Sequence, residues 1–310
     1  MTQAVRSFEA RTGIDTLAAV SLFVLTFFWG LNQVAIKVAN TGFNPLFALV
    51  VRSVSGCILI ALWCWWRNIP LFVRDGTLWP GILAGVFFGL EFMLIFSGLD
   101  YTTAARGTLM LHAMPLWMLL GGYFILGERI GWRQFIGMVL AFAGVALVFS
   151  DNLSLPSPEA IRGDLMCLGA SVLWAGTILV VKASPLATAR PEKTLIYQLL
   201  VAAVIAGPFI PLGGSLLRDV TVLASAALVF QSTFIVAFTY VLWYWLVRTY
   251  PASGVSSFTF LTPVFGVLLG GLLLNEPLSI RIFGALTLIA AGLTIVNRPA
   301  RSAAAGKDRK

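Results

Sequence analysis

FFWGLNQVAIKVA at 27–39 and VLWAGTILVVKAS at 172–184 decide how this chain is read. Trp29 matches Trp174 and Lys37 matches Lys182, both at a shift of 145 residues. A second pair, MPLWMLLGGYFILGERI at 114–130 and TPVFGVLLGGLLLNEPL at 262–278, aligns Pro115 with Pro263 and Glu128 with Glu276 at a shift of 148. At that same shift Arg133, Phe135, Ala143 and Gly144 reappear as Arg281, Phe283, Ala291 and Gly292. Chance rarely keeps such spacing, so the chain contains two copies of one unit.

Outward from these landmarks the sequence breaks into apolar runs near 16–39, 44–66, 78–99, 102–126, 131–150, 162–183, 191–212, 222–247, 251–273 and 278–297, punctuated by Gly, Pro and charge. Each run is close to the roughly 20 residues that cross a bilayer as a helix. The composition agrees. Hydrophobic residues make up 59% of the 310, charged residues only 11% against about 25% in soluble domains, and mean hydropathy is +0.91. The expected fold is an all-α integral membrane protein of ten transmembrane helices. Arg6 and Arg11 before the first run mimic a signal peptide, but that run is long and lacks an A-x-A exit, so it is expected to be retained.

Other classes fall away. Cys57, Cys64 and Cys167 sit in apolar runs with no C-x-x-C pair and no histidine cluster, so neither a metal site nor a disulfide framework is expected, and no cofactor. The net charge of +8 is scattered between apolar runs and gathered at the tail, a pattern of membrane orientation rather than nucleic-acid binding.

With both termini inside, only Lys37, Arg106, Arg162, Arg218 and Arg281 of the 21 basic residues fall outside, and Arg52 lies within a span. The positive-inside rule therefore places both ends in the cytoplasm of a multi-pass inner (plasma) membrane protein. Trp63, Trp65 and Trp66 end the second run and Trp243, Tyr244 and Trp245 end the eighth, and both groups read as aromatic belts at the headgroup layer.

Five spans per copy is an odd number, so the second copy enters the membrane from the opposite side. Two inverted five-helix repeats rocking around a midplane site are a transporter architecture. The expected organisation is a cytoplasmic segment 1–15, a first repeat 16–150, a periplasmic connection 151–161, a second repeat 162–297 and a basic cytoplasmic tail 298–310.

The W-G-x-N-x₄-K pattern at 29–37, the Pro-to-Gly-Glu spacing at 115–128, the A-G-V at 143–145 and the second copy of each resemble the EamA family of the drug/metabolite transporter superfamily. The resemblance covers 16–297. It implies a ten-helix, inverted-repeat inner-membrane carrier, in a family whose members export amino acids, other metabolites or drugs. The second copy departs from the first where Asn275-Glu276 replaces Gly127-Glu128 and Ala175 replaces Gly30.

An ionisable side chain at mid-bilayer costs at least about 2.5–3.5 kcal/mol, so each needs a partner or a watery cavity. Arg52, Glu91 and His112 are such residues. Glu91 and His112 fall at similar depth on adjacent spans and are candidates for binding solute or taking up a proton; the alternatives are a fixed Arg52–Glu91 ion pair and a histidine that bonds a neighbouring helix. Repeat alignment sets Tyr240 against Glu91 and Phe260 against His112, which predicts a pocket charged on one wall and aromatic on the other. Trp29, Asn32, Trp174 and Thr177 complete it on the first and sixth spans, or serve as packing. Glu128 and Glu276 are expected to cap the following helix or pair with Arg133 and Arg281. Gly81, Gly85 and Gly89 form a stripe for close helix packing, and Pro115 and Pro263 a pair of kinks, either hinges or fixed.

These features predict a secondary transporter, an exporter of small organic metabolites such as amino acids, driven by protons or by exchange. A multidrug or cationic-compound carrier of the same fold is the alternative. No phosphate-binding G-x-x-x-x-G-K-[ST] loop is present, and an intramembrane enzyme would need a nucleophile with its base that a chain with one histidine does not offer. A non-transporting scaffold leaves the duplication without a purpose. The expected partners are a small-molecule substrate, membrane lipid and protons.

Overall fold

The computed structural model describes residues 13–71, 73–101, 109–129, 131–149, 157–274 and 281–297. Most of the expected N-terminal segment, residues 151–156 of the connection, the basic tail, Glu276 and the Lys37 side chain lie outside that description.

Helices are α1 (Thr16–Gly42), α2 (Pro45–Trp66), α3 (Leu78–Tyr101), α4 (Met114–Phe124), α5 (Trp132–Phe149), α6 (Pro158–Lys182), α7 (Pro191–Ala206), α8 (Val222–Phe230), α9 (Tyr240–Thr249), α10 (Ala252–Ser257), α11 (Leu261–Leu274) and α12 (Arg281–Asn297). A π-helical stretch, Gln231–Thr239, joins α8 to α9. No strand occurs among the described residues; one isolated bridge pairs Phe43 with Leu217. Among these residues six helical segments are long and apolar enough to cross a membrane, and the shorter apolar helices Leu109–Phe124, Trp132–Leu147 and Phe283–Val296 lie in three of the four remaining runs.

Polar residues at the run boundaries start the helices. The Asp15 carboxylate accepts from Ala18 N at 2.9 Å, and the Asn44 Oδ1 accepts from Leu46 N and Phe47 N at 2.9 and 3.1 Å ahead of Pro45. Ser157 before Pro158 and Thr221 before Val222 cap in the same way. Such caps satisfy backbone donors that a helix end leaves open, and proline in the first turn gives up none. Both prolines expected to kink spans lie just after an interruption of the helix, in the first turn of the helical piece that follows. Residues 112–113 form a turn just before α4 and Pro115, and a 3-10 turn (Phe258–Phe260) precedes α11 and Pro263.

The two copies are interlocked rather than side by side. α3 packs on α6 as α1 packs on α8, α9 and the π stretch; α1 packs on α11 as α6 packs on α4; α2 meets α7, and α5 meets α12. Exchanging the copies maps this set of contacts onto itself. Glycines permit the tightest crossings. A Cβ at Gly144 would lie 2.9 Å from Ala285 O, and one at Gly292 would lie 2.5 Å from Gly137 O, which are repeat-related approaches of α5 and α12. On α3 the stripe Gly81, Gly85 and Gly89 receives Tyr197, Val201 and Ile205 of α7, so that stripe is a helix interface.

The outer surface is apolar: Leu17, Val20, Leu62, Trp65, Trp79, Phe124, Leu200 and Val222 are all exposed. Such a surface suits lipid rather than water. Trp63, Trp65 and Trp66 are exposed, as an aromatic belt requires, but Trp243 and Tyr244 are buried and do not form one.

Candidate functional site

Trp243 and Tyr244, expected at the headgroup layer, instead wall a cavity together with Tyr240. Tyr240, Trp243 and Tyr244 lie at i, i+3 and i+4 on α9, one helix face, immediately after the π stretch. A π turn carries an extra residue and so resets which face the following helix presents; such turns cluster at functional sites. Here Thr239, the last residue of the stretch, accepts a hydrogen bond from Trp29 Nε1 at 3.0 Å and ties α1 to α9.

The cavity encloses about 700 Å³ of space not filled by protein atoms, counting its open mouth. Trp29, Asn32, Trp174, Tyr240, Glu91 and His112, all expected from the sequence, line it together. Trp29 stands at its centre, with ring centroids 5.9 Å from Trp174, 5.8 Å from Tyr240 and 5.1 Å from Trp243. The repeat-matched tryptophans thus meet across the junction of the two copies. The His112 ring stands edge-on to Trp174 at 6.4 Å. Phe88, Phe92, Trp243, Tyr244 and Thr262 also line the cavity and were not expected.

Three expected residues lie elsewhere. Thr177 is fully buried with its hydroxyl donating to Leu173 O at 3.0 Å, so the wall has Asn32 from one copy and nothing equivalent from the other. Phe260 is buried against Phe142 at 6.4 Å in a second core between α5, α11 and α12. Arg52 sits behind the wall. Its guanidinium carbon is 4.1 Å from the centre of the Phe92 ring and 5.8 Å from that of Tyr240.

Arg52 is 1% exposed, and none of its three guanidinium nitrogens has a hydrogen-bond partner among the described residues. Glu91 Oε2, Asn32 Oδ1 and Thr262 Oγ1 are likewise buried without partners. The direct Arg52–Glu91 hydrogen bond of a fixed ion pair is therefore not made, although each lies in the other's field. Stacking on an aromatic face returns about 0.5–2 kcal/mol to a cation, less than the several kcal/mol that burying an ion costs.

One end of the bundle is closed by bonds that cross between the copies. Glu128 Oε1 accepts from Ala252 N at 3.0 Å and its Oε2 from Ser253 Oγ at 2.6 Å, so this carboxylate caps α10 of the other copy rather than the next helix. Gly127, at φ +67°, makes the turn that presents it. Tyr250 donates its hydroxyl across to Asp15 Oδ1 at 2.9 Å, and within the second copy its carbonyl accepts from Lys182 Nζ at 2.6 Å. Lys193 Nζ reaches both oxygens of Asp75 at 2.9 and 2.8 Å, and Thr77 Oγ1 donates to the same carboxylate at 2.6 Å. Lys193 first, then Thr77, hold the Asp75 carboxyl down at about 2. Among the described residues no cluster of potential metal ligands is present.

The fold and its internal duplication have counterparts among known proteins. The EamA-like transporter family model matches residues 16–150 and again 161–298. The uncharacterized transporter YvbV of Bacillus subtilis (strain 168) is 27% identical, covering 95% of this chain and 97% of its own length. The probable amino-acid metabolite efflux pump of Escherichia coli (strain K12) is also 27% identical, over 86% of this chain and 90% of that protein. A crystal structure at 18% identity superposes with a TM-score of 0.79 over 93% of this chain and 99% of that one, a match of fold. With the duplicated match spanning both copies, the chain belongs to the EamA-like transporter family.

Proposed function

We propose that this membrane transporter carries small organic metabolites such as amino acids out of the cell, by alternating access of the aromatic cavity to the two faces of the inner membrane. The observation that carries the reading is the cavity's position. Both copies of the repeat build it, with Trp29 from one against Trp174 from the other, so relative movement of the copies changes its exposure. In this reading ten spans cross the membrane, 16–150 and 162–297 insert in opposite senses, and both termini are cytoplasmic. The closed end, with Glu128, Asp15, Lys182 and Lys193, is then the cytoplasmic one. The name of the Escherichia coli relative, a probable amino-acid metabolite efflux pump, supports an amino-acid metabolite as cargo.

Glu91 and His112 are the coupling candidates, facing the cavity with a titratable group each. A second reading, efflux of cationic compounds, is favoured by one observation: an acidic side chain shares the wall with three tryptophans, and aromatic faces attract cations. Proteoliposome counterflow over a panel of amino acids and cationic drugs, with and without a pH gradient, tests both. Saturable trans-stimulated exchange of any of them supports a carrier; its absence across the panel in correctly folded protein refutes the reading.

A further inference from the structure

We propose that the end of α2 binds an anionic phospholipid, with Arg67 on the headgroup phosphate and an acyl chain laid along the exposed face of the helix. This surface lies outside the cavity lining, and the proposal does not depend on what the protein carries.

The outward face of α2 is apolar and furrowed. Val54, Ile58, Leu62 and Trp66 stand in one row at i+4 spacing, Leu59, Trp63 and Arg67 form the next row, and all are exposed. Two such rows enclose a furrow, and this one runs from Val54 to Arg67, about 20 Å at 1.5 Å per residue. The hydrocarbon of one leaflet is roughly 15 Å deep, so an acyl chain in the furrow brings its phosphate level with the guanidinium.

At that end the chemistry changes. The Arg67 guanidinium carbon lies over the Trp63 and Trp66 rings, 5.6 and 6.0 Å from their centres, and its N–H groups make no hydrogen bond among the described residues. The indole N–H groups of Trp63, Trp65 and Trp66 make none there either. Asn68 keeps these donors open. At φ +52° it turns its own N–H back to Trp65 O at 3.2 Å and that of Ile69 to Cys64 O at 2.8 Å, so the chain leaves the helix at once instead of covering Arg67.

The unanswered charge here is positive. No acidic residue occurs from Pro45 to Arg74, Asp75 is taken by Lys193, and Glu192 lies in the field of Arg190 and Arg248. A helix C-terminus repels anions, so the guanidinium is what holds a phosphate at this place. A choline headgroup fits less well, because its ammonium meets indole faces that the guanidinium already occupies. Duplication does not account for the cluster. The matching helix α7 ends at Ala206 and runs on through the 3-10 turns of Gly207–Gly213 with neither tryptophan nor basic side chain.

Native mass spectrometry of the purified full-length protein, equilibrated with equal amounts of phosphatidylglycerol and phosphatidylcholine of the same acyl chains, tests the assignment. Phosphatidylglycerol is expected to be retained about fivefold over phosphatidylcholine, the worth of roughly one basic residue at an anionic membrane surface. Arg67→Gln is expected to bring the ratio close to one, and Arg67→Lys to keep part of it. Arg190→Gln, which removes an exposed charge that lies over no indole, is expected to leave it unchanged. Equal retention of the two lipids by the wild type overturns the proposal, as does an unchanged ratio in Arg67→Gln or an equal fall in Arg190→Gln, which would make the preference one of bulk charge. Glycerol 3-phosphate is expected not to displace the lipid; displacement as effective as by phosphatidylglycerol would mean a site for soluble anions and overturn the lipid assignment.

Discussion

Replacing Glu128 by Gln should open the closed end of the bundle. The carboxylate makes two bonds across the copies, to Ala252 N at 3.0 Å and Ser253 Oγ at 2.6 Å, at the N-terminus of α10. Hydrogen bonds to charged groups contribute about 1.5–3 kcal/mol each, and an anion at a helix N-terminus gains a further fraction. Glutamine keeps the shape and one acceptor oxygen but loses the charge, and the site is only half-buried, so the net loss should be about 1.5–3 kcal/mol rather than twice that. At about 1.4 kcal/mol per tenfold, the inner-open population should rise roughly ten- to a hundredfold. The assay is the labelling rate of a Thr262→Cys reporter by an impermeant maleimide in inside-out vesicles, with Cys57, Cys64 and Cys167 replaced. An unchanged rate in a folded Glu128→Gln protein would refute the assignment of this bond as a gate.

Three further outcomes follow from the same geometry. Asp75→Asn should weaken the Lys193 latch without making it sensitive to pH between 5 and 8: a carboxyl held at about 2 in the folded protein, below its unfolded value near 3.9, contributes fully above about pH 4 and is lost only as pH falls towards 2. Melting curves of wild type and variant that converge near pH 6 would contradict this. Gly292→Ala should destabilise by about 1–3 kcal/mol, because its Cβ would lie 2.5 Å from Gly137 O and 2.8 Å from Ala141 N, backbone atoms that cannot swing aside; Gly131→Ala, with open space around it, is the control, and equal melting temperatures for the two variants would be the adverse result. Glu91→Gln should abolish the pH dependence of transport if this side chain carries the proton, and an unaltered pH profile in folded protein would remove it from coupling.

Much of the helical layout was legible because boundary residues have local physical meaning. The runs expected at 44–66, 191–212 and 222–247 correspond to Pro45–Trp66, Pro191–Gly213 and Val222–Thr249, since Asn44, Pro191 and Thr221 start helices wherever they stand before apolar runs. Pro115 was harder. An internal proline reads as a kink, and the turn at 112–113 places the break just ahead of it.

The site was legible where depth and repeat register suffice, at Trp29, Glu91, His112, Trp174 and Tyr240. Register fixes position along a helix but not the direction a side chain takes once two copies have diverged. Thr177 and Phe260 therefore fell in packed cores. The aromatic cluster at 243–245 was misread for a related reason, because the headgroup rule weighs composition at a span's end and ignores the face. The spacing of Tyr240, Trp243 and Tyr244 was the available signal.

The most direct test of two oppositely inserted copies around one cavity needs no substrate. Reporters fused ahead of Met1 and after Lys310, one active only in the cytoplasm and one only outside it, should both mark the ends as cytoplasmic. Ends on opposite faces would require an odd number of crossings and contradict the account.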